Sequence, residues 1–217
     1  MKKAVIFDLD GTLANTIASI TYCGNLALSR FGLPSFSEKD YKRFVGDGAA
    51  MLVRRALLAA GERKPEAFDR VYETYREIFA ENCMYQVKPY EGIVPLLEEL
   101  KQKKLRIAVL SNKPDADSLR VVEELFGKGF FDHVQGQRED IPRKPDPAGV
   151  FRIMEAFGLD AGDFLYVGDS GVDMKTGKAA GIDTVGVLWG FRDRKELLEN
   201  GADTVIEKPE ELIACLD

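Results

Sequence analysis

The stretch FDLDGTL, Phe7 to Leu13, places two aspartates, Asp8 and Asp10, around one leucine at the end of the apolar run Ala4–Phe7. A second apolar run, Phe164–Val167, ends in GDSGVDM, Gly168 to Met174, and delivers Asp169 with Asp173 close behind it. If the two runs are neighbouring strands, three or four carboxylates converge in one small volume. There they repel one another and destabilise the fold unless compensated. A hard divalent cation is the economical compensation, and carboxylate, water and phosphate oxygens together suit Mg²⁺. Ser111, in VLSNKP, offers a hydroxyl, and the backbone N–H groups there, including that of Asn112, can face an anion. Lys144, in RKPDP just before a helix start, offers an ammonium that would balance both the carboxylates and a bound phosphate. Gly11 permits close backbone approach after Asp10. Taken singly, these are also a turn, a helix cap and a solvated lysine. Taken together, they are the groups that phosphoryl transfer uses.

Short β-rich runs alternating with helical patterns must position these groups. The candidate strands are Ala4–Phe7, Leu105–Leu110, His133–Gly136, Phe164–Val167, Thr184–Leu188 and Thr204–Ile206. Between them, Ile93, Leu96, Leu97 and Leu100 share one helix face, and Val150, Phe151, Met154 and Phe157 share another. Pro147 suits a first helical turn and Gly158 a helix stop. This pattern predicts an α/β fold: a Rossmann-like parallel sheet covered by helices. Residues 15–86 break the alternation. Ser37 and Asp40 fit a capping box, and Pro65 opens a run in which Phe68, Val71, Tyr72, Tyr75, Ile78 and Phe79 recur at helical spacing. The expectation is an all-helical cap domain, 15–86, inserted into a catalytic core of 1–14 and 87–217 and rejoined through KPYEG, Lys88 to Gly92. Ligands of open parallel sheets bind beyond the carboxyl ends of the strands. A module inserted just after the first strand is therefore placed to act as a lid.

Composition removes other classes. The 217 residues are 45% hydrophobic, enough for a real core. A net charge of -6 argues against a nucleic-acid partner but not against a small anionic ligand. Cys23, Cys83 and Cys215 are odd in number and lack metal-ligand spacing, which fits a reduced cytoplasmic chain. No apolar run resembles a signal peptide or approaches a membrane span, so no membrane partner is expected. The lone histidine, His133, leaves multi-histidine zinc sites and hydrolytic triads nothing to be built on but itself, and a structural role is expected for it.

At these residues the chain resembles the haloacid dehalogenase-like hydrolases over nearly its whole length. The family's Asp-x-Asp-x-Thr motif is matched by Asp8-Leu9-Asp10-Gly11-Thr12, its strand-ending Ser or Thr by Ser111, its lysine before proline by Lys144-Pro145, and its acidic pair by Asp169 and Asp173. The resemblance implies that Asp8 attacks phosphorus to form an aspartyl-phosphate, and that Asp10 acts as acid and then base. It implies Mg²⁺ held by Asp8, the Asp10 carbonyl and Asp169, with Asp173 in support, and transferring oxygens held by Ser111 and Lys144. Asp10 argues against the family's transport ATPases, which carry Thr there, and against its dehalogenases, which lack this Asp.

Within the family the chain looks most like phosphoglycolate phosphatases, through FDLDGTL, FVGDGAAMLVRRAL, KPYEG, LSNKPD and RKPDP. The Gly46-Asp47-Gly48 turn is expected on the cap facing the phosphate site, and Arg54 or Arg55 could offer a cation to a substrate carboxylate. Lys113 could aid phosphate binding, though its context is weaker than that of Lys144. The Leu13-Ala14-Asn15-Thr16 stretch departs from the family's usual Asp-Ser or Asp-Thr at the cap entrance. The expected partner is a small phosphorylated substrate, on a monomer or homodimer. The rivals are a β-phosphoglucomutase-like mutase, a pyrophosphatase of the same family, and a catalytically silent binding module.

Overall fold

Val5, Ile6 and Phe7 are apolar and fully buried, as residues of a central parallel strand must be. The structure, a computed structural model describing residues 1–217, places them in β1, Ala4–Phe7, inside a six-stranded sheet. β1 pairs in parallel with β4, Arg106–Pro114, on one side and with β6, Phe164–Gly168, on the other. Beyond β4 lies β5, His133–Gln137, at one edge. Beyond β6 lie β7, Asp183–Val187, and β8, Thr204–Ile206, at the other. The order β5-β4-β1-β6-β7-β8 reverses direction at β1, which makes the β1 end a topological switch point.

The chain forms two compact units. One comprises Met1–Asn15 with Pro89–Asp217 and the other Thr16–Lys88, so both crossings fall slightly C-terminal to the sequence expectation. Short strands at the crossings, Ala14–Asn15 (β2) and Lys88–Pro89 (β3), form a separate two-stranded sheet.

In the larger unit, Ile93, Leu96, Leu97 and Leu100 are the buried face of α5, Ile93–Gln102. Helix α7, Ala148–Phe157, packs Val150, Ile153 and Phe157 against Ala4, Ile6, Ala108 and Tyr166 of the sheet. Phe151, expected on that face, is exposed, and Ile153 takes its place. The helix ends at Gly158 in the left-handed conformation (φ 62). Strand β4 runs past the expected Leu110 to Pro114, with a register irregularity between those two residues. Ser111, Asn112 and Lys113 are thus buried strand residues whose polarity hid them from hydrophobic patterning.

The smaller unit is helical: α1 (Ile17–Ser29), α2 (Glu38–Phe44), α3 (Ala49–Ala59) and α4 (Pro65–Asn82). The Ser37–Asp40 capping box opens α2, and Pro65 is the first residue of α4. Its core includes Ile20, Leu28, Tyr41, Leu52, Val53, Tyr75 and Phe79. The Asn25 amide bridges to the Phe36 backbone in both directions, at 2.8 and 2.9 Å, fixing the link into α2.

Candidate active site

Parallel pairing in register places Phe7 beside both Val109 and Val167, so the residues one or two places further along each chain lie close together at one end of the sheet. Asp8, Ser111 and Asp169 follow from this alignment. Asp173 is the third residue of α8, Gly171–Ala179, where its Oδ2 accepts from the Ser170 N–H at 3.1 Å and the Ser170 hydroxyl at 2.5 Å. A ligand oxygen from each of Asp8, Asp169 and Asp173 lies within 4.8 Å of the other two.

Lys144 reaches this cluster from the loop between β5 and α7. Its three N–H donors are all used: Asp8 Oδ1 at 2.6 Å, Asp173 Oδ1 at 2.8 Å and the Leu110 carbonyl at 3.0 Å. All four charged residues are buried, with at most 6% of their surface exposed. With all three carboxyls ionised, three carboxylates against one ammonium would leave two negative charges without a counterion in this volume. A divalent cation matches that deficit in charge, and an all-oxygen donor set matches a hard ion.

The electrostatics follow. Burial pushes the Asp8 carboxyl up to about 7; Lys144 opposes this, and Asp173 adds to it. Burial, then Asp173 and Asp8, push Asp169 well above the usual carboxylate range, against the Phe191 N–H and Arg192. Burial alone would lower the Lys144 ammonium, but Asp173 and Asp8 outweigh it and hold it well above its ordinary value.

Asp10 stands apart from the triad. Its Oδ1 is paired with the buried Lys113 ammonium at 2.9 Å, so its carboxylate does not join the three clustered acids. The Ser111 hydroxyl accepts from the Lys113 N–H at 3.2 Å, which leaves its own proton to donate. Asn112 has a positioning role beside the phosphate contact expected of its backbone N–H. Its side-chain amide makes two hydrogen bonds with the Lys144 backbone, at 2.9 and 3.1 Å, and so fixes the lysine's loop. Gly11 has φ +92, and a side chain there would overlap the Asp169 carboxylate. His133 is the half-buried first residue of the edge strand β5.

In the helical unit, Gly46 and Gly48 both have positive φ (121 and 85), consistent with a tight turn between α2 and α3. Arg54, the expected cation, instead lies over the Phe68 ring with its guanidinium carbon 4.1 Å from the centroid. Arg55 holds the turn: it donates to the Phe44 carbonyl at 2.9 Å and pairs with Asp47. Helical phase separates the neighbours, since adjacent positions point about 100° apart.

Sequence reasoning underrated Lys113 and passed over Tyr90 and the segment after β7. Burial and the Asp169 and Asp10 carboxylates push the Tyr90 phenol up. The Phe191 N–H donates to Asp169 Oδ2 at 2.7 Å. The segment follows the end of β7, the strand beside β6, a placement that only the tertiary structure gives.

A doubly wound parallel sheet with a lysine-bridged carboxylate cluster at its switch point makes a site suited to a divalent cation and a phosphate group. The chain belongs to the haloacid dehalogenase-like hydrolase family, whose signature it matches over residues 5–187. It is similar to phosphoglycolate phosphatase 1 of Pseudomonas aeruginosa, 30% identical over 100% of this chain and 80% of that one. The phosphoglycolate phosphatase of Aquifex aeolicus is 30% identical over 99% of this chain and 97% of that one. A crystal structure from Lactobacillus delbrueckii subsp. bulgaricus, provisionally described as a phosphoglycolate phosphatase, is 34% identical with a TM-score of 0.93, covering 100% and 99% of the two chains. Within the family the chain falls in this phosphatase-like branch and is a phosphoric monoester hydrolase.

Proposed function

We propose that the protein hydrolyses a small phosphate monoester, 2-phosphoglycolate, in a Mg²⁺-dependent reaction through an aspartyl-phosphate on Asp8. The observation that carries the reading is the buried set of Asp8, Asp169 and Asp173 bridged by Lys144, which with all three carboxyls ionised would leave two negative charges uncompensated. The names borne by the relatives support the choice of substrate. Asp8, the Asp10 carbonyl and Asp169 would hold the ion, with Asp173 in support; when bound it supplies charge neutralisation at the transferring phosphoryl group.

The chain's own residues do the rest. Lys144 fixes one oxygen of Asp8, leaving the other to attack phosphorus. The Asp8–phosphorus bond forms as the ester P–O bond breaks, and Asp10, which must enter this step carrying a proton on the oxygen that Lys113 does not hold, passes that proton to the departing alkoxide. Asp10, now a carboxylate held by Lys113, takes a proton from the water that cleaves the acyl-phosphate and frees Asp8. The Ser111 hydroxyl would donate to a phosphoryl oxygen, and the Lys144 ammonium, its three donors taken by Asp8, Asp173 and Leu110, would act on the phosphoryl group through its charge. We assign 1–15 and 89–217 as the catalytic core and 16–88 as the cap that selects the substrate, a role supported by its insertion directly after the β1 motif. Arg55 and the Gly46-Asp47-Gly48 turn replace Arg54 as the cap's reading elements.

A panel of 2-phosphoglycolate, sugar phosphates, nucleotides and pyrophosphate, assayed with Mg²⁺ and with chelator, tests this. Phosphate release from 2-phosphoglycolate ahead of the others, abolished by chelator, is expected. Interconversion of glucose phosphates without free phosphate would mean a mutase, and preferential cleavage of pyrophosphate a pyrophosphatase.

A further inference from the structure

The segment following β7 grips the two loops that carry the acidic cluster. Trp189, the only tryptophan in the chain, donates its indole N–H to the Thr12 carbonyl at 2.9 Å, and so holds the turn that follows Asp8 and Asp10. Two residues on, the Phe191 N–H occupies Asp169 Oδ2 at 2.7 Å and leaves Oδ1 as that carboxylate's open oxygen. Gly190 lies between them against both loops; a side chain there would overlap Asp169 and the Gly11 carbonyl. Arg192 closes the segment, its Nε 3.2 Å from Glu196 Oε1. One short stretch thus ties the loop after β1 to the carboxylate after β6.

We propose that Trp189–Phe191 is a positioning clamp that sets the separation between the β1 turn and Asp169, and through it the fit of the cluster to a divalent ion. The inference rests on the reading of Asp169 as a metal ligand. Its physical basis is that a carboxylate ligand binds well only when its unbound oxygen is fixed by a hydrogen bond and its neighbours are held at the ion's coordination distance. The clamp is built partly from backbone, which explains why no titratable residue in the segment signals it.

Calorimetric titration of the full chain with Mn²⁺, without substrate, tests the clamp. Trp189→Phe keeps an aromatic ring and removes the N–H; its dissociation constant for Mn²⁺ is expected to rise about tenfold, the lower end of the effect of losing a ligand-orienting contact. A merely structural role would lower the melting temperature and leave the affinity of the folded protein alone. Equal affinities in Trp189→Phe and wild type overturn the clamp while the metal site stands. A wild-type chain that binds no Mn²⁺ overturns both. Should Trp189→Phe fail to fold, Trp189→Tyr, which likewise removes the indole N–H, is the second variant, with the same expected loss and the same refuting result.

Discussion

Lys144 offers three N–H donors, and Asp8, Asp173 and the Leu110 carbonyl take one each. This arrangement makes the lysine at once a structural and a chemical residue. Removing one partner of a buried ionic group leaves the others uncompensated, at a cost of about 3–5 kcal/mol. Lys144→Met is therefore expected to lose activity and, in metal-free protein at pH ~8 where Asp8 is ionised, to lower the unfolding free energy by about that amount. Urea unfolding checks it; an unchanged midpoint would show that the ammonium does not balance the cluster. Asp8→Asn separates chemistry from stability. Burial already pushes the Asp8 carboxyl toward its neutral form, so a neutral amide is tolerated by the fold but cannot attack phosphorus. Circular dichroism like that of wild type with no turnover is expected, and retained hydrolysis would remove Asp8 from the nucleophile role. Asp8, Asp10, Lys144, Asp169 and Asp173 were all legible in the sequence because each stands in a short motif with a chemical reason. Lys113 was underrated because its partner Asp10 is distant in sequence, and no local pattern announces the pair.

Among the elements, those whose boundaries follow from hydrophobicity alone were read to the residue: Ala4–Phe7 and Thr204–Ile206. The Ser37–Asp40 box, the Pro65 helix start and the Gly158 stop were also legible, because capping chemistry is local. The sequence pattern ends strand β4 early because its last residues are polar; Asn112 and Lys113 are buried by their contacts with Lys144 and Asp10 in the site. The α2–α3 turn shows the same limit at the level of a single helical position. Spacing could place Arg54 and Arg55 near the turn but could not say which one faces it; packing against Phe68 took Arg54 and left Arg55 to Asp47. If that turn reads the substrate, Arg55→Ala should raise KM for 2-phosphoglycolate about tenfold, about 1.4 kcal/mol and near the lower end for a hydrogen bond to a charged group. Arg54→Ala should leave KM near the wild-type value. Steady-state kinetics on the two variants decide it, and the reverse ranking would return the role to Arg54.

For the whole molecule, the acidic cluster couples stability to pH and metal. Folding raises the Asp8 and Asp169 carboxyls above their ordinary values. The stabilisation they give the metal-free fold is therefore full below the ordinary aspartate range and is lost as pH rises through about 7 for Asp8. A divalent ion binds the ionised carboxylates, so its stabilising effect grows over the same interval. At ~100 times its dissociation constant the ion adds about 2.7 kcal/mol, or roughly 5–11 °C in melting temperature for a chain of this size. The Mg²⁺-induced rise should be larger at pH ~8 than at pH ~5.5, and thermal scans with and without Mg²⁺ at the two pH values would show no such difference if the ion does not engage these acids. The overall architecture was legible because strand–helix alternation and its interruption at residues 15–86 are written in composition. The Trp189–Phe191 contacts were not, because they depend on tertiary placement and backbone donors. The most direct test of the central claim is acid-quenched turnover of a radiolabelled phosphate monoester, followed by mapping of the labelled peptide. A base-labile acyl-phosphate on Asp8, present with Mg²⁺ and missing with chelator, is what the account predicts; turnover with unlabelled protein, or with the label on another residue, would contradict it.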